Sequence, residues 1–171
     1  MIPIALAAAV LPQACVTEGK APPPQPRPLP EQPRGIFADR LVRTVGIPED
    51  TDRNGLSDLI PVTVYLFNDQ YVAPLALPGR FTFRLTDASG EHELARWEYD
   101  QAAAERARRN FMVGPGYTFR LSLLDVRPAV PGAGPPERLP TREPLLFITF
   151  TPAEGPPVDP RTGTTVFLGG R

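Results

Sequence analysis

The sequence predicts a mainly β fold: an antiparallel β-sandwich with one short α-helix at about residues 100–110, preceded by a disordered proline-rich linker. Short apolar segments rich in β-branched and aromatic residues recur along the chain and are separated by turn residues, which is typical of strands. Only one stretch has the composition of a helix. Short strands joined by proline- and glycine-rich connections favour a sandwich over an α/β fold.

The composition suits one packed domain. The chain has 171 residues, of which 42% are hydrophobic and 22% charged, and this is enough for a hydrophobic core of ordinary size. The formal net charge is −1, so no overall electrostatic field attracts a polyanion. We therefore expect no nucleic-acid partner.

The first 15 residues, MIPIALAAAVLPQAC, have the pattern of an export signal. The apolar run is shorter than the roughly 20 residues that a membrane-spanning helix needs, but it suits the hydrophobic region of a signal peptide. Its end, with Ala14 directly before the only cysteine, Cys15, resembles the signal of a bacterial lipoprotein. That resemblance implies that a lipid on Cys15 anchors the protein to a membrane. The alternative is an ordinary cleaved signal peptide, and both interpretations predict an exported protein of the cell envelope, facing the periplasm or on the cell surface.

Residues 16–35 are predicted to form a linker rather than part of the domain. Seven prolines lie between Pro22 and Pro33, and proline at this density favours extended polyproline II structure over packing. At about 3 Å per residue, such a segment would hold a folded domain tens of ångströms from its anchor. The β-sandwich domain is therefore expected to comprise residues 36–171.

The strands of the domain are predicted from their side-chain patterns. The segment RFTFRLT alternates strictly, with Phe81, Phe83 and Leu85 on one face. The turn signal DASG at residues 87–90 joins it to the next strand in a hairpin. A proline-rich stretch at residues 127–144 is predicted to be a long loop. The predicted strands are residues 61–67, 80–86, 92–99, 117–124, 144–150 and 164–169.

The one predicted helix begins after Asp100, whose side chain is placed to cap the first turn. An alanine-rich middle follows, and arginines lie near the C-terminal end, where the helix dipole favours positive charge. These arginines, Arg106, Arg108 and Arg109, have two interpretations. They could contact an anionic polymer, or they could belong to a solvated helix face, which is the simpler account because Glu105 lies on the same helix.

The order of the predicted elements is similar to that of known envelope modules. The span from Pro61 to Tyr99, a strand followed by a hairpin, resembles transthyretin-like and immunoglobulin-like domains. The whole arrangement of signal, linker and sandwich resembles uncharacterised bacterial envelope lipoproteins. This resemblance implies a structural or binding role, with an envelope protein or a polysaccharide as the class of partner.

The stretch DTDRNGLSD, residues 50–58, is the candidate ion site. Its sixth position is Gly55, where a calcium loop needs glycine for a sharp turn. The stretch resembles the loops of EF-hand, dockerin and thrombospondin type-3 calcium repeats, which implies a bound structural calcium ion. Side chains with oxygen ligands occupy the first, third, fifth and ninth positions of the loop: Asp50, Asp52, Asn54 and Asp58.

A second interpretation of this stretch needs no ion. The twelfth position, which is acidic in those calcium loops, is Pro61. The alternative is therefore a solvated turn in which Asn54 and Gly55 reverse the chain and the aspartates accept hydrogen bonds from backbone amides. If an ion binds, water or a carboxylate from elsewhere would complete its shell, the candidates being Asp69, Asp87 and Asp100.

No catalytic motif is recognisable, and we predict that the protein is not an enzyme. The only histidine, His92, follows a predicted turn, and the adjacent Glu91 and Glu93 point to the opposite face of a strand, so the three cannot share one metal. The alternative function is a secreted hydrolase that acts through carboxylates. A cleft lined by three or more acidic side chains would favour this alternative.

Trp97 and Tyr99 are the candidates for a binding surface. They lie on one face of a predicted strand together with Ala95. If they are exposed, they form a platform on which a sugar or a peptide could stack. The alternative is that they fill the core opposite Phe81 and Phe83.

Overall fold

The strands and the helix were located in a computed structural model that describes residues 31–126, 139, 141, 143–159 and 162–168. The predicted signal with Cys15, residues 16–30 of the predicted linker and most of the predicted loop at 127–144 lie outside the described residues. The described elements are Arg40–Val45 (β1), Leu59–Asn68 (β2), Tyr71–Leu75 (β3), Gly79–Thr86 (β4), Glu93–Tyr99 (β5), Gln101–Ala107 (α1), Arg108–Phe111 (β6), Gly114–Ser122 (β7), Leu145–Pro152 (β8) and Thr164–Thr165 (β9).

The strands form two antiparallel sheets, which confirms the predicted fold class. The first sheet has the order β1-β2-β7-β6, and β3 also pairs with β2. The second sheet has the order β5-β4-β8-β9. All described strand pairs are antiparallel. None of the described residues forms a helix that is long and apolar enough to cross a membrane.

The core lies between the sheets and is rich in aromatic rings. Phe81 of β4 is fully buried, and its ring centroid lies 4.9 Å from that of Tyr117 and 5.1 Å from that of Phe119, both on β7 of the other sheet. Phe83 and Leu85 are buried on the same face of β4. The strict alternation of RFTFRLT therefore reports a strand with one face in the core, and each such aromatic side chain contributes roughly 1.5–3 kcal/mol through its burial.

Three short strands were not predicted, namely β1, β3 and β6. Each has few pairing partners among the described strands: β1 pairs with β2, β6 pairs with β7, and β3 pairs with β2 at two positions. Edge strands commonly carry charged residues and proline, which prevent pairing with other chains. Arg40, Arg43 and Pro74 are such residues, and they obscure the strand pattern in the sequence.

The helix α1 begins where it was predicted but ends earlier. The side chain of Asp100 accepts a hydrogen bond from the backbone N–H of Ala103 at 2.8 Å, which confirms it as the N-cap. After Ala107 the backbone becomes extended, and Arg108 pairs with Tyr117 of β7. The prediction of a helix to residue 110 is thus wrong, because the pairing with β7 outweighs the local helix preference. Consequently Arg108 and Arg109 lie on a strand, not on a helix face.

Arg43 connects the free edges of the two sheets. Its Nε donates to the hydroxyl of Thr164, and its Nη2 donates to the carbonyl of Thr162 at 2.6 Å. Because β1 and β9 are edge strands of different sheets, these bonds close one side of the sandwich. Desolvation of the guanidinium in this contact lowers the pKa of Arg43 below its usual value.

The packed part of the chain begins before residue 36. The side-chain amide of Gln32 accepts from the N–H of Ala76 at 2.9 Å and donates to its carbonyl at 3.2 Å. The amide thereby satisfies both backbone groups of Ala76, as a neighbouring strand would. The end of the predicted linker therefore contacts the domain.

Candidate metal centre

The loop at residues 50–58 is closed at its base by backbone hydrogen bonds. Glu49 donates to the carbonyl of Leu59 at 2.8 Å, and its own carbonyl accepts from the N–H of Asp58 at 2.9 Å. The Glu49 carboxylate also accepts from Arg120 of β7 at 2.9 Å. These bonds hold the first and last residues of the loop side by side at the start of β2.

Asp58 is the buried member of the loop. Its relative exposure is 1%, and both oxygens of its carboxylate accept hydrogen bonds from Thr51. The Thr51 hydroxyl lies 2.7 and 2.8 Å from the two oxygens, and the Thr51 N–H lies 3.2 and 3.1 Å from them. The carbonyl of Asp58 accepts from the N–H of Leu123 at 2.7 Å. Within the described part of the chain, no arginine forms an ion pair with this carboxylate.

Asp50 and Asp52 are exposed and accept hydrogen bonds from the turn between them and Asp58. Asp50 accepts from the N–H of Gly55 at 2.8 Å and from that of Asn54 at 3.2 Å. Asp52 accepts from the backbone N–H of Asn54 at 3.1 Å and from its side-chain amide at 2.9 Å. The chain turns sharply here because Arg53 and Gly55 both have positive φ, 64° and 89°.

The three aspartates converge. Asp50, Asp52 and Asp58 each offer a carboxylate oxygen, and these oxygens lie within 4.8 Å of one another. Desolvation alone would raise the pKa of Asp50, but hydrogen bonds, beginning with that from Gly55, outweigh it and hold this pKa below its usual value. Asp50 is therefore ionised at neutral pH. A cluster of hard, anionic oxygens fits a hard cation such as Ca²⁺, which prefers 6–8 oxygen ligands at about 2.3–2.6 Å.

Asn54, the fourth predicted ligand, also lies in this turn. Its side-chain carbonyl accepts from the N–H of Leu56 at 2.8 Å, and its amide nitrogen donates to Asp52. Amide oxygens are among the ligands that Ca²⁺ takes in proteins. Its role as a ligand remains a prediction.

The carboxylates considered as substitutes for the twelfth position lie in other turns. Asp69 pairs with Arg40 at 3.6 Å, Asp87 accepts from Ser89 at 2.6 Å, and Asp100 caps α1. None of them belongs to the acidic cluster found among the described residues. Water is therefore the ligand expected to complete a cation shell at this loop.

Trp97 and Tyr99 do not form a surface platform. Trp97 is only 9% exposed, and its indole N–H donates to the carbonyl of Ser122 at 2.9 Å. The Tyr99 ring is half-buried and packs against Phe83 and Phe119, with centroid distances of 5.6 and 4.7 Å. The binding-surface interpretation is wrong because this face of β5 points into the sandwich, as the alternative predicted.

His92 lies in the β4–β5 turn and is bonded to an acidic side chain. Its Nδ1 is 2.9 Å from Asp87, and 77% of its side chain is exposed. Ser89 donates to the other oxygen of the same carboxylate. A nucleophile and its base must bond to each other, but here the serine and the histidine each bond to Asp87 instead. The arrangement stabilises the turn.

Among the clefts lined by described residues, three have volumes of about 410, 240 and 170 Å³. Each contains one acidic side chain, Glu105, Glu154 and Asp159 respectively. None of the three offers the pair of carboxylates that glycoside hydrolysis requires.

Two parts of the site had no signal in the sequence. Thr51 occupies the second position of the loop, which is not a ligand position, yet it provides both hydrogen-bond donors to Asp58. The bond from Arg120 to Glu49 joins residues 71 positions apart, so spacing could not reveal it.

No protein-family model, curated protein or solved structure matches this chain.

Proposed function

We propose that the chain is an exported, lipid-anchored envelope protein with a structural or binding role, whose β-sandwich is stabilised by a calcium ion in the loop at residues 50–58. The observation that carries the proposal is the convergence of oxygens from Asp50, Asp52 and Asp58 within 4.8 Å. In the sequence, the same residues occupy the first, third and ninth positions of a calcium loop. The spacing of these residues in the sequence and the convergence of their carboxylate oxygens thus favour the same three ligands.

The position of the loop supports a structural role for the ion. Asp50 and Asp52 lie in the exposed first half of the loop, whereas Asp58 is buried where β2 begins. The backbone of Asp58 also contacts Leu123, just after β7. A cation shared by the three carboxylates would join the exposed half to the sheet and would remove the repulsion between like charges.

Export and anchoring are supported by the sequence pattern. The apolar run ends at Ala14 and Cys15, and a proline-rich segment separates it from the domain. A lipid on Cys15 would give one membrane anchor, and the extended segment would act as a spacer. An envelope protein or a polysaccharide is the class of partner that we propose for the domain.

The test is thermal unfolding of the full chain with calcium, with magnesium and with EDTA. A ligand that binds only the folded state stabilises it by about 2.7 kcal/mol when its free concentration is a hundred times the dissociation constant. Calcium should therefore raise the unfolding temperature of the wild type, whereas magnesium, which keeps its water shell more firmly, should raise it less. Titration calorimetry should show one calcium per chain.

The double variant Asp50→Ala, Asp52→Ala should lose this response. The matched control is Asp69→Ala, Glu154→Ala, which removes the same charge from exposed positions outside the loop and should keep the response. If calorimetry shows that the wild-type protein binds no calcium, the loop is only a hydrogen-bonded turn and the calcium proposal is wrong.

A further inference from the structure

The turn between β6 and β7 exposes three consecutive apolar side chains. Phe111 is 37% exposed, Val113 is 58% exposed and Met112 is fully exposed at 102%. The other large exposed hydrophobic residues of the described chain occur singly. A run of consecutive exposed apolar residues is uncommon on a protein surface and is typical of a site that contacts another molecule or a membrane.

The turn is held in place rather than left to move freely. The Phe111 ring packs edge-on against Tyr65 of β2, with the centroids 5.5 Å apart. Gly116 makes this contact possible, because a Cβ there would lie 2.7 Å from the Tyr65 ring and 3.1 Å from Phe111. Met112 and Val113 therefore project from a supported hairpin. We call Phe111, Met112 and Val113 together the apolar tip.

Positive charge lies directly behind the apolar tip. Arg106, Arg108 and Arg109 are exposed, and Glu105, the one acidic residue among residues 101–113, forms an ion pair with Arg108 at 2.5 Å. With three arginines and one glutamate, this segment carries a net charge of +2. The Arg109 Nη1 donates to the carbonyls of Arg106 and Arg108 at 2.7 Å each, which fixes this guanidinium at the end of α1. Arg108 and Arg109 line a cleft of about 410 Å³ together with Asn110. At about 3.4 Å per residue, Arg109 and Arg108 lie roughly 10–14 Å along β6 from Met112.

We propose that this hairpin docks on an anionic lipid surface. The apolar tip would enter the boundary between headgroups and acyl chains, which is typically 5–10 Å deep for such elements. Arg108 and Arg109 would then lie at the level of the headgroup phosphates. This contact is separate from an anchor at Cys15 and does not depend on the calcium loop.

Charge complementarity favours lipid over a second copy of the chain. The free edge of β6 could pair with the same edge of another molecule, but this would gather Arg108 and Arg109 of both copies on two short strands that carry no acidic residue. Like charges brought together in this way repel each other. An anionic surface satisfies both the apolar tip and the arginines.

The experiment places a fluorophore at the apolar tip of the full chain. Met112→Trp is suited to this because residue 112 is fully exposed, and Trp97 is buried and provides a constant background. Vesicles contain phospholipid brominated on the acyl chains, either zwitterionic alone or mixed with anionic phospholipid. Emission from residue 112 should shift to the blue and be quenched only when anionic lipid is present. Ile47→Trp, at a position that is 87% exposed outside the hairpin, should not be quenched.

Charge removal provides the second arm. Each basic residue near an anionic surface contributes roughly a fivefold gain in binding, so Arg108→Gln plus Arg109→Gln in the Met112→Trp chain should weaken partitioning by about 25-fold. The control Arg84→Gln plus Arg96→Gln removes the same charge from exposed, paired positions on β4 and β5 of the other sheet and should have little effect. The readout is local to the tip, so binding through another segment does not produce it.

Three results would overturn the proposal. Residue 112 could remain unquenched with anionic vesicles, or zwitterionic vesicles could quench it equally. A blue shift that grows with protein concentration in the absence of vesicles would instead identify a second copy as the occupant. Circular dichroism of each variant establishes that it is folded before it is scored.

Discussion

Thr51 provides two donors to Asp58, since its hydroxyl lies 2.7 Å and its backbone N–H 3.1 Å from oxygens of the same carboxylate. Asp58 is 1% exposed, so this carboxylate has lost most of its contact with water. The hydroxyl and amide of one residue thus replace the solvent for a buried charge.

Replacing Thr51 by valine should destabilise the protein because it removes the hydroxyl and keeps the shape. A hydrogen bond to a charged group contributes about 1.5–3 kcal/mol, and chemical denaturation should show a loss of about that size. Thr51→Ser, which retains the hydroxyl, should recover most of the loss. Equal stability of the valine and serine variants would mean that the hydroxyl bond contributes nothing.

Tyr117 should depend on its hydroxyl for stability. The hydroxyl donates to the carbonyl of Leu77 and accepts from its N–H, each at 2.9 Å, and the side chain is 1% exposed. Tyr117→Phe leaves two backbone groups of Leu77 without this partner, so we expect a loss of about 1–3 kcal/mol in the free energy of unfolding. Tyr65→Phe, at a half-buried position in β2, is the comparison variant and should cost less. The prediction fails if the two variants unfold at the same denaturant concentration.

Arg43 should control the opening of the β1–β9 edge. Arg43→Met keeps much of the length of the side chain and removes the bonds to Thr162 and Thr164. We expect faster hydrogen exchange at Val166, whose N–H donates to the carbonyl of Pro144 beside β9, with unchanged exchange in β4. Arg43→Lys should not restore protection, because a single ammonium cannot reproduce the two directed bonds of a guanidinium. A uniform increase in exchange across both sheets would point to global destabilisation instead.

Asp87 should titrate below the usual range of an aspartate. The hydroxyl of Ser89 is the main cause and His92 adds to it, so the pKa of Asp87 is lowered in the folded protein. A group with a lowered folded pKa stabilises the protein above its unfolded pKa of about 3.9 and loses this contribution as the pH falls through the folded value. The turn should therefore weaken only in strong acid. Carbon-13 NMR of the Asp87 carboxyl should show the low pKa in the wild type, and Ser89→Ala should raise this pKa. If the pKa of Asp87 is the same in the variant as in the wild type, the Ser89 hydroxyl is not the cause.

The sequence predicted the central strands better than the edge strands. In β4, side chains on one face pack against the opposite sheet, so Phe81, Phe83 and Leu85 leave a clear alternating pattern. Among the described strands, β1 and β6 are paired on one side and carry arginines, and most of their side chains are exposed or half-buried, so they leave no clear core pattern in the sequence. The end of α1 was missed for a related reason, because it depends on pairing with β7, a contact distant in sequence.

At the candidate site, spacing predicted which aspartates would converge but not how they are supported. Asp50, Asp52 and Asp58 are separated by short intervals, and a tight turn brings them together. The burial of Asp58 results from the position of the loop at the start of β2 and from its contact with Leu123. For Trp97, the alternation of side chains along β5 predicted which residues share its face. It could not predict that this face is the buried one.

Strand β2 separates the acidic loop from the apolar tip. It runs for 10 residues from Leu59 to Asn68, or about 33 Å at 3.3 Å per residue. The acidic loop adjoins the Leu59 end, whereas Tyr65, near the other end, contacts the apolar tip. Ala76, which is hydrogen-bonded to Gln32 at the end of the predicted linker, lines the cleft behind that tip. If the domain docks through the tip as we propose, the end that Gln32 contacts would lie proximal to the lipid, and the acidic loop would lie distal and open to the surrounding space.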